Sequence, residues 1–455
     1  MCQMNENNLN SISPIDGRYF DKTKSLKKYF SEKALIYYRL KVEIEYFIAL
    51  CKLKIPQLNS FNQKKFEDLK KIYLDFSIDD AIEIKKIEKV TNHDVKAVEY
   101  FLRQRFDELG ISEFKEFIHF GLTSQDINNT AIPLSIKEFI NDVYLVKINE
   151  LLSLIEIRAD DYENITIISR THGQPASPTK LGKEFMVFWT RINEQLKSLK
   201  QIPNSAKFAG AVGNFNAHKV AYPNINWEKF AKNFVEKNLS LNYSYPTTQI
   251  EHYDSFASLS DNCRRINNIL LDMCQDIWSY ISHDYFHQKI VDKEVGSSAM
   301  PHKVNPIDFE NAEGNIGVAN SIFDFFSNKL TRSRLQRDLS DSTVLRNVGV
   351  PFSHTLISFE SIIKGLNKIY VNQEKINTDI ENNWIVISEA IQTILRREGF
   401  EDPYEIMKHL TRKNSKLDKE SIHRFIDNLD VNNNIKLELK KITPYNYTGI
   451  DYEKN

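Results

Sequence analysis

The chain has 455 residues, which at roughly 100–200 residues per domain predicts two or three domains. Lys and Arg number 60 and Asp and Glu 61, for a formal net charge of -1, a balance that argues against a general nucleic-acid binder or a polybasic membrane-surface protein. Gly (14) and Pro (13) make up about 6% of the chain, against about 12% on average, which disfavours sandwiches, barrels and tightly wound α/β folds and favours long helices.

The N-terminus, MCQMNENNLN, has no basic stretch followed by an apolar run, so no signal peptide is expected. No stretch approaches 18 consecutive apolar residues, so no membrane-spanning helix is expected either. Cys2, Cys51, Cys263 and Cys274 are scattered without a C-x-x-C pair, as suits reduced thiols in a cytosolic protein.

Three intervals lack Gly and Pro altogether: Pro56 to Gly110, Pro133 to Gly173 and Pro246 to Gly296. Each predicts one long helix or two joined by a polar turn. The second carries a helical stripe of Ile136, Phe139, Ile140, Val143, Ile148, Leu151, Leu152 and Ile155. The third repeats it with Ile266, Ile269, Leu270, Met273, Ile277, Tyr280 and Ile281. A helix of about 40 residues would run about 60 Å and needs partners along its length, so a bundle and an oligomer are expected. Boundaries are expected near Gly110 and again near Gly365, giving domains over 1–111, 112–365 and 366–455, the last with shorter helical patterns.

Five polar constellations fall near the breaks. Thr91-Asn92-His93-Asp94-Val95-Lys96 is a polar knot in a helical region. His119 to Asp126 contains Thr123-Ser124, whose hydroxyls at a helix start suit an anion. Arg170 to Pro178 places His172 where a helix gives way to a Gly/Pro loop, and imidazole exchanges protons near neutral pH. Gly296-Ser297-Ser298-Ala299-Met300-Pro301-His302-Lys303-Val304-Asn305-Pro306 opens with free backbone N–H groups and then adds the cation of Lys303. Its spacing is neither that of a phosphate-binding Walker loop nor that of a nucleophile elbow. Arg332, Arg334, Arg337 and Arg346 surround Ser342, a set able to clamp a phosphate or carboxylate. Taken singly, each also reads as a linking loop, a structural histidine or a solvated basic face.

Together the five resemble the fumarase/aspartase superfamily and, within it, the adenylosuccinate lyase family, in wording nearest its bacterial branch. Gly296 to Pro306 fits the superfamily's G-S-S-x-M-P-x-K-x-N-P signature. Ser13-Pro14-Ile15-Asp16-Gly17-Arg18-Tyr19, Thr91 to Val95, Thr171 to Pro175, Gln249 in Thr247-Thr248-Gln249-Ile250-Glu251, and Asp341 to Arg346 resemble the adenylosuccinate lyases. The resemblance spans nearly the whole chain.

It implies an all-α, three-domain fold with a central long-helix bundle that becomes a twenty-helix core in a homotetramer, with active sites drawn from three subunits. It implies β-elimination of fumarate from adenylosuccinate, leaving AMP, and from SAICAR, leaving AICAR, in the cytoplasm, with no cofactor or metal and no nucleic-acid or membrane partner. By the same resemblance Ser297 is the base and His172 the acid. His93 contacts phosphate or assists His172, and Glu310 orients the acid. Lys303 and Asn305 meet the developing charge. Arg18, Tyr19, Arg337, Ser342 and Arg346 hold phosphate; Gln249, Thr123 and Ser124 hold the succinyl part; Ser298, Asn92 and Asp94 complete the binding set. The alternatives are a related lyase acting on argininosuccinate, malate or aspartate, whose substrates lack phosphate, and a non-catalytic helical scaffold.

Overall fold

The computed structural model describes residues 6–289, 300, 303–413 and 418–452. Among them, helices predominate, with three two-stranded sheets between. The chain divides into two compact units. One comprises Met1–Ile148, Gln195–Asn268 and Gly314–Glu360; the other comprises Asn149–Glu194, Ile269–Glu313 and Ser361–Asn455.

The long helices of the third and second intervals are present. Asp254–Ser282 is a single helix of 29 residues, about 43 Å long at 1.5 Å per residue. Ile266, Ile269, Leu270, Met273 and Ile277 on its stripe are buried. In the second interval Ser124–Phe139, a π-turn at Ile140–Tyr144 and Leu145–Asp161 follow one another without a gap. Pro133 lies inside the first helix instead of bounding it. The wider π-turn rotates the buried face. Tyr144 is therefore fully buried, and Val143, expected on the stripe, is only half-buried.

The first interval differs from expectation, because it holds three α-helices: Phe66–Leu74, Ile78–Thr91 and Asp94–Glu108. Neither break uses Gly or Pro. At the first, Ser77 Oγ accepts from Asp80 N–H at 3.1 Å and the Asp80 carboxylate accepts from Ser77 N–H at 2.8 Å, a reciprocal cap that starts a helix wherever it occurs. At the second, Asn92 closes a helix in the left-handed region (φ +50°), which Asn tolerates better than most residues.

The core of the first unit surrounds Glu32–Lys52. Ser31 caps this helix, its Oγ accepting from Ala34 N–H at 3.1 Å. The helix is buried on most sides, with the charged Arg39 and Glu43 among its buried residues. Phe47 meets Phe61 and Phe106 edge-on at 5.3 and 4.9 Å, and Tyr46 meets Phe208 and Phe234 at 5.1 and 5.8 Å. These pairings add to the burial of the rings themselves.

In the second unit the antiparallel hairpin Thr166–Thr171/Gln174–Lys180 is tied to the helix Gln373–Glu381: Arg170 donates to Asp379 at 3.0 Å, and the Tyr285 hydroxyl donates to the same carboxylate. Short helices follow, among them Ser388–Arg397, Lys419–Asp427 and Asn433–Lys440. Ile391, Leu395, Ile422, Ile426 and Leu439 are buried there.

Candidate active site

Seven of the polar residues singled out above line one cleft of about 650 Å³ in the first unit: Asn92, His93, Asp94, Ser124, Arg337, Ser342 and Arg346. The helix junction at Asn92 turns the chain so that His93 caps Asp94–Glu108, its Nδ1 accepting from Lys96 N–H at 3.1 Å. With Nδ1 an acceptor, a neutral His93 carries its proton on Nε2.

Asp94 Oδ2 accepts from Arg39 at 2.7 Å and from Arg346 at 2.9 Å. Burial opposes ionisation of Asp94. The charge and hydrogen bond of Arg39, the Val95 N–H and Arg346 override it and hold the carboxyl at about 2. Arg39 is itself buried and also donates to Asn128 Oδ1 at 2.9 Å. Arg346 is thus aimed from a fixed anchor. Arg337 is set differently, donating to Asp341 Oδ1 at 3.3 Å and to Ser342 Oγ at 2.7 Å. Lys85, Lys89 and Asn128 also line this cleft. Sequence reading missed them because helical spacing marks Lys85 and Lys89 only as surface residues.

The remaining candidates of this unit lie nearby in the chain or in a neighbouring groove. Arg18 is exposed in the bend before Phe20–Thr23, and Tyr19 is half-buried beside it. Ser13, Ile15 and Asp16 of that bend share a groove of about 520 Å³ with Arg346. Thr123 N–H donates to the Asp126 carboxylate at 2.8 Å, which fixes the helix start that presents Ser124. Gln249 Nε2 donates to Ala211 O at 2.9 Å. Arg332 and Arg334 are exposed and absent from the cleft lining; Arg332 donates to Asn328 O at 2.9 Å.

In the second unit Lys303, Asn305 and Glu310 line a cleft of about 750 Å³ with Trp278, His287 and Tyr370. Glu310 accepts from the Trp278 indole at 3.2 Å. Lys303 is exposed, its N–H bonded to Met300 O at 3.0 Å. His172 is not in that lining. It sits exposed at the hairpin tip, with φ +52° and Gly173 at φ +74°. The expected Gly/Pro loop is thus a tight turn between strands, whose two central residues both have the positive φ of a type I′ hairpin. Ser297 and Ser298 lie outside the described residues. Among the described residues no three His, Cys, Asp or Glu side chains are grouped to hold a metal ion, and no helix is long and apolar enough to cross a membrane.

A family model described as lyase matches residues 17–321, and one described as adenylosuccinate lyase C-terminal matches residues 333–448. The chain belongs to the adenylosuccinate lyase family. It is 56% identical over 453 residues to the adenylosuccinate lyase of Dictyostelium discoideum, covering 98% of this chain and 97% of that one. Identity is 50% over 444 residues with the enzyme of Legionella pneumophila (strain Corby), covering 97% of each. With that of Escherichia coli (strain K12) it is 44% over 448 residues, covering 98% of each. Family membership makes the chain a C–N lyase.

Solved structures agree on the fold. A fumarate lyase from Mesorhizobium sp. BNC1 matches with a TM-score of 0.74 at 15% identity, covering 94% of this chain and 95% of that one. A 3-carboxy-cis,cis-muconate lactonizing enzyme from Pseudomonas putida matches with a TM-score of 0.73 at 15% identity, covering 95% and 96%.

Proposed function

We propose that the chain splits fumarate from adenylosuccinate, leaving AMP, and from SAICAR, leaving AICAR, in cytoplasmic purine nucleotide biosynthesis. The observation that carries this reading is the cleft in which Arg337, Ser342 and Arg346 converge beside His93 and Ser124. A phosphorylated substrate uses such a set; argininosuccinate, malate and aspartate, which lack phosphate, do not need it. The identity of 44–56% to curated adenylosuccinate lyases over nearly the whole chain supports the same choice.

In the elimination the base takes a proton from the carbon next to a succinyl carboxylate. The electron pair spreads into that carboxylate, the adjacent C–N bond breaks, and the leaving nitrogen receives a proton. Ser297 is the base and His172 the acid. A serine hydroxyl is too weak a base at neutral pH, so the donors that stabilise the dianion, with Lys303, also favour its alkoxide. Preorganised donors at the substrate carboxylate that takes up the charge contribute about 3 kcal/mol each, a role for Lys303 and Asn305. Glu310 orients the acid. His93 contacts phosphate or assists His172. Arg18 and Tyr19 join Arg337, Ser342 and Arg346 at the phosphate. Gln249, Thr123, Ser124 and Ser298 hold the succinyl part, and Asn92 and Asp94 shape the pocket wall. No step moves electrons to an acceptor, so the chemistry asks for no redox cofactor. The working enzyme is a homotetramer with a twenty-helix core and composite sites.

Incubation of the purified protein with adenylosuccinate, SAICAR, argininosuccinate, malate and aspartate, followed by fumarate release, tests the assignment. Release from the first two alone is expected. Release from argininosuccinate without release from adenylosuccinate overturns it.

A further inference from the structure

Arg337 and Ser342 are held from behind by a buried carboxylate to which the reaction assigns no part. Asp341 is 5% exposed, and its two oxygens are used on opposite sides. Oδ1 accepts from Arg337 Nε and Nη2, both at 3.3 Å, and from Ser342 N–H at 2.7 Å. Oδ2 accepts from Gln125 Nε2 at 2.9 Å and from the Tyr253 hydroxyl at 3.1 Å. Asn129 Nδ2 donates to that hydroxyl at 2.8 Å, and Asn129 Oδ1 accepts from Glu251 N–H at 2.9 Å. A backbone N–H can only donate, so the Asn129 amide is oriented without ambiguity.

The arrangement has two chemical consequences. Arg337 spends Nε and Nη2 on Asp341 and Ser342, which leaves Nη1 as the edge they do not engage. Ser342 Oγ accepts from Arg337 Nη2 at 2.7 Å, so its own hydroxyl hydrogen remains a donor. Both side chains therefore enter the cleft as preset donors, which an anion meets without reorganising them. The brace is kept at a cost: Gln125 Oε1 is buried with no hydrogen-bond partner, because its amide nitrogen is turned to the carboxylate.

The geometry points to Asp341 as the positioning residue of an anion receptor for the phosphoryl group of a nucleoside monophosphate, with Tyr253 and Gln125 as its brace. The inference rests on the proposed function and deepens it, by naming what holds Arg337 and Ser342 in place. It also ties the phosphate end to the segment bearing Gln249, because Asn129 bonds both Tyr253 and the Glu251 backbone.

The test compares Asp341→Asn and Tyr253→Phe with the parent enzyme, using AMP and phosphate-free adenosine as probes. Asp341→Asn keeps the shape but turns an amide nitrogen toward existing donors. Its KM for adenylosuccinate and its inhibition constant for AMP are expected to rise about 10- to 100-fold, with kcat changed less than about threefold and adenosine affinity unchanged. Tyr253→Phe is expected to move the same constants about 3- to 10-fold, and it carries the test alone if Asp341→Asn does not fold. Equal weakening of AMP and adenosine, or a fall in kcat at constant KM, overturns the inference. If the parent enzyme releases no fumarate, the functional reading fails by itself. Calorimetric binding of AMP against adenosine then decides the receptor: a preference for AMP that the variants lose supports it, and no such preference overturns it.

Discussion

Lys207 Nζ lies 2.7 Å from Asp126 Oδ1, and neither side chain has any exposure to solvent. The same oxygen accepts from the N–H groups of Ala209 and Gly210 at 2.8 and 3.1 Å. Thr123 N–H binds the other oxygen at 2.8 Å. One carboxylate thus holds the start of the helix that presents Ser124 and the turn that meets Gln249. Lys207→Met leaves that carboxylate buried without its cation. A loss of about 3–5 kcal/mol in unfolding free energy is expected by denaturant titration. A loss below about 1 kcal/mol means water or another group satisfies Asp126.

Gly213 has φ +77°, and a Cβ there would stand 2.0 Å from Thr247 O. Gly213→Ala therefore pushes the Thr247–Gln249 segment away from Ala211, and kcat/KM is expected to fall at least about 10-fold, as misplacement of a substrate-positioning group does. Gly110 is the control. It too has a positive φ, +67°, but nothing lies within 4 Å of its Cβ position, so Gly110→Ala is expected to cost about 1 kcal/mol of stability and no activity. Equal effects at the two sites contradict the steric account.

Two histidines with little access to water, His119 and His218, act on the stability with opposite pH dependence. At His119 burial opposes the charge, but the Glu43 carboxylate, 2.5 Å from Nδ1, overrides it and raises the pKa from 6.5 to about 9. Its stabilisation is complete below pH 6.5 and is lost as pH rises toward 9, on the order of 3 kcal/mol in all. At His218 burial lowers the pKa from 6.5 to about 4, so its contribution is present above pH 6.5 and lost as pH falls toward 4. Chemical denaturation from pH 6.5 to 9 is expected to show stability falling as pH rises, and His119→Gln is expected to flatten that alkaline limb. An alkaline limb unchanged in that variant removes His119 as its cause.

What sequence could reveal depended on how far apart the cooperating residues stand in the chain. The stripe from Ile266 to Ile277 is legible because a helix buries neighbours three and four apart. The polar run Asn92–Asp94 and the arginines around Ser342 stand out locally, and Asn92, His93, Asp94, Arg337, Ser342 and Arg346 meet in one cleft. The breaks at Ser77 and Asn92 are hidden because a reciprocal side-chain cap at the first and a left-handed Asn at the second stand in for Gly and Pro. The tight turn at His172–Gly173 was hidden by the prolines beside it, Pro175 and Pro178, both of which lie inside the second strand. Lys207 with Asp126, and Tyr253 with Asp341, are separated by 81 and 88 residues, as their numbers show. Only the fold brings such pairs together, and no local pattern marks a lysine that is buried.

Turnover of adenylosuccinate by His172→Ala and Ser297→Ala, each checked for an intact fold by melting temperature, tests the elimination itself. Each variant is expected to release fumarate and AMP at least about 10²-fold more slowly than the parent, the scale on which a positioned acid or base acts. Near-parental turnover by either folded variant would contradict an elimination run by that imidazole and that hydroxyl.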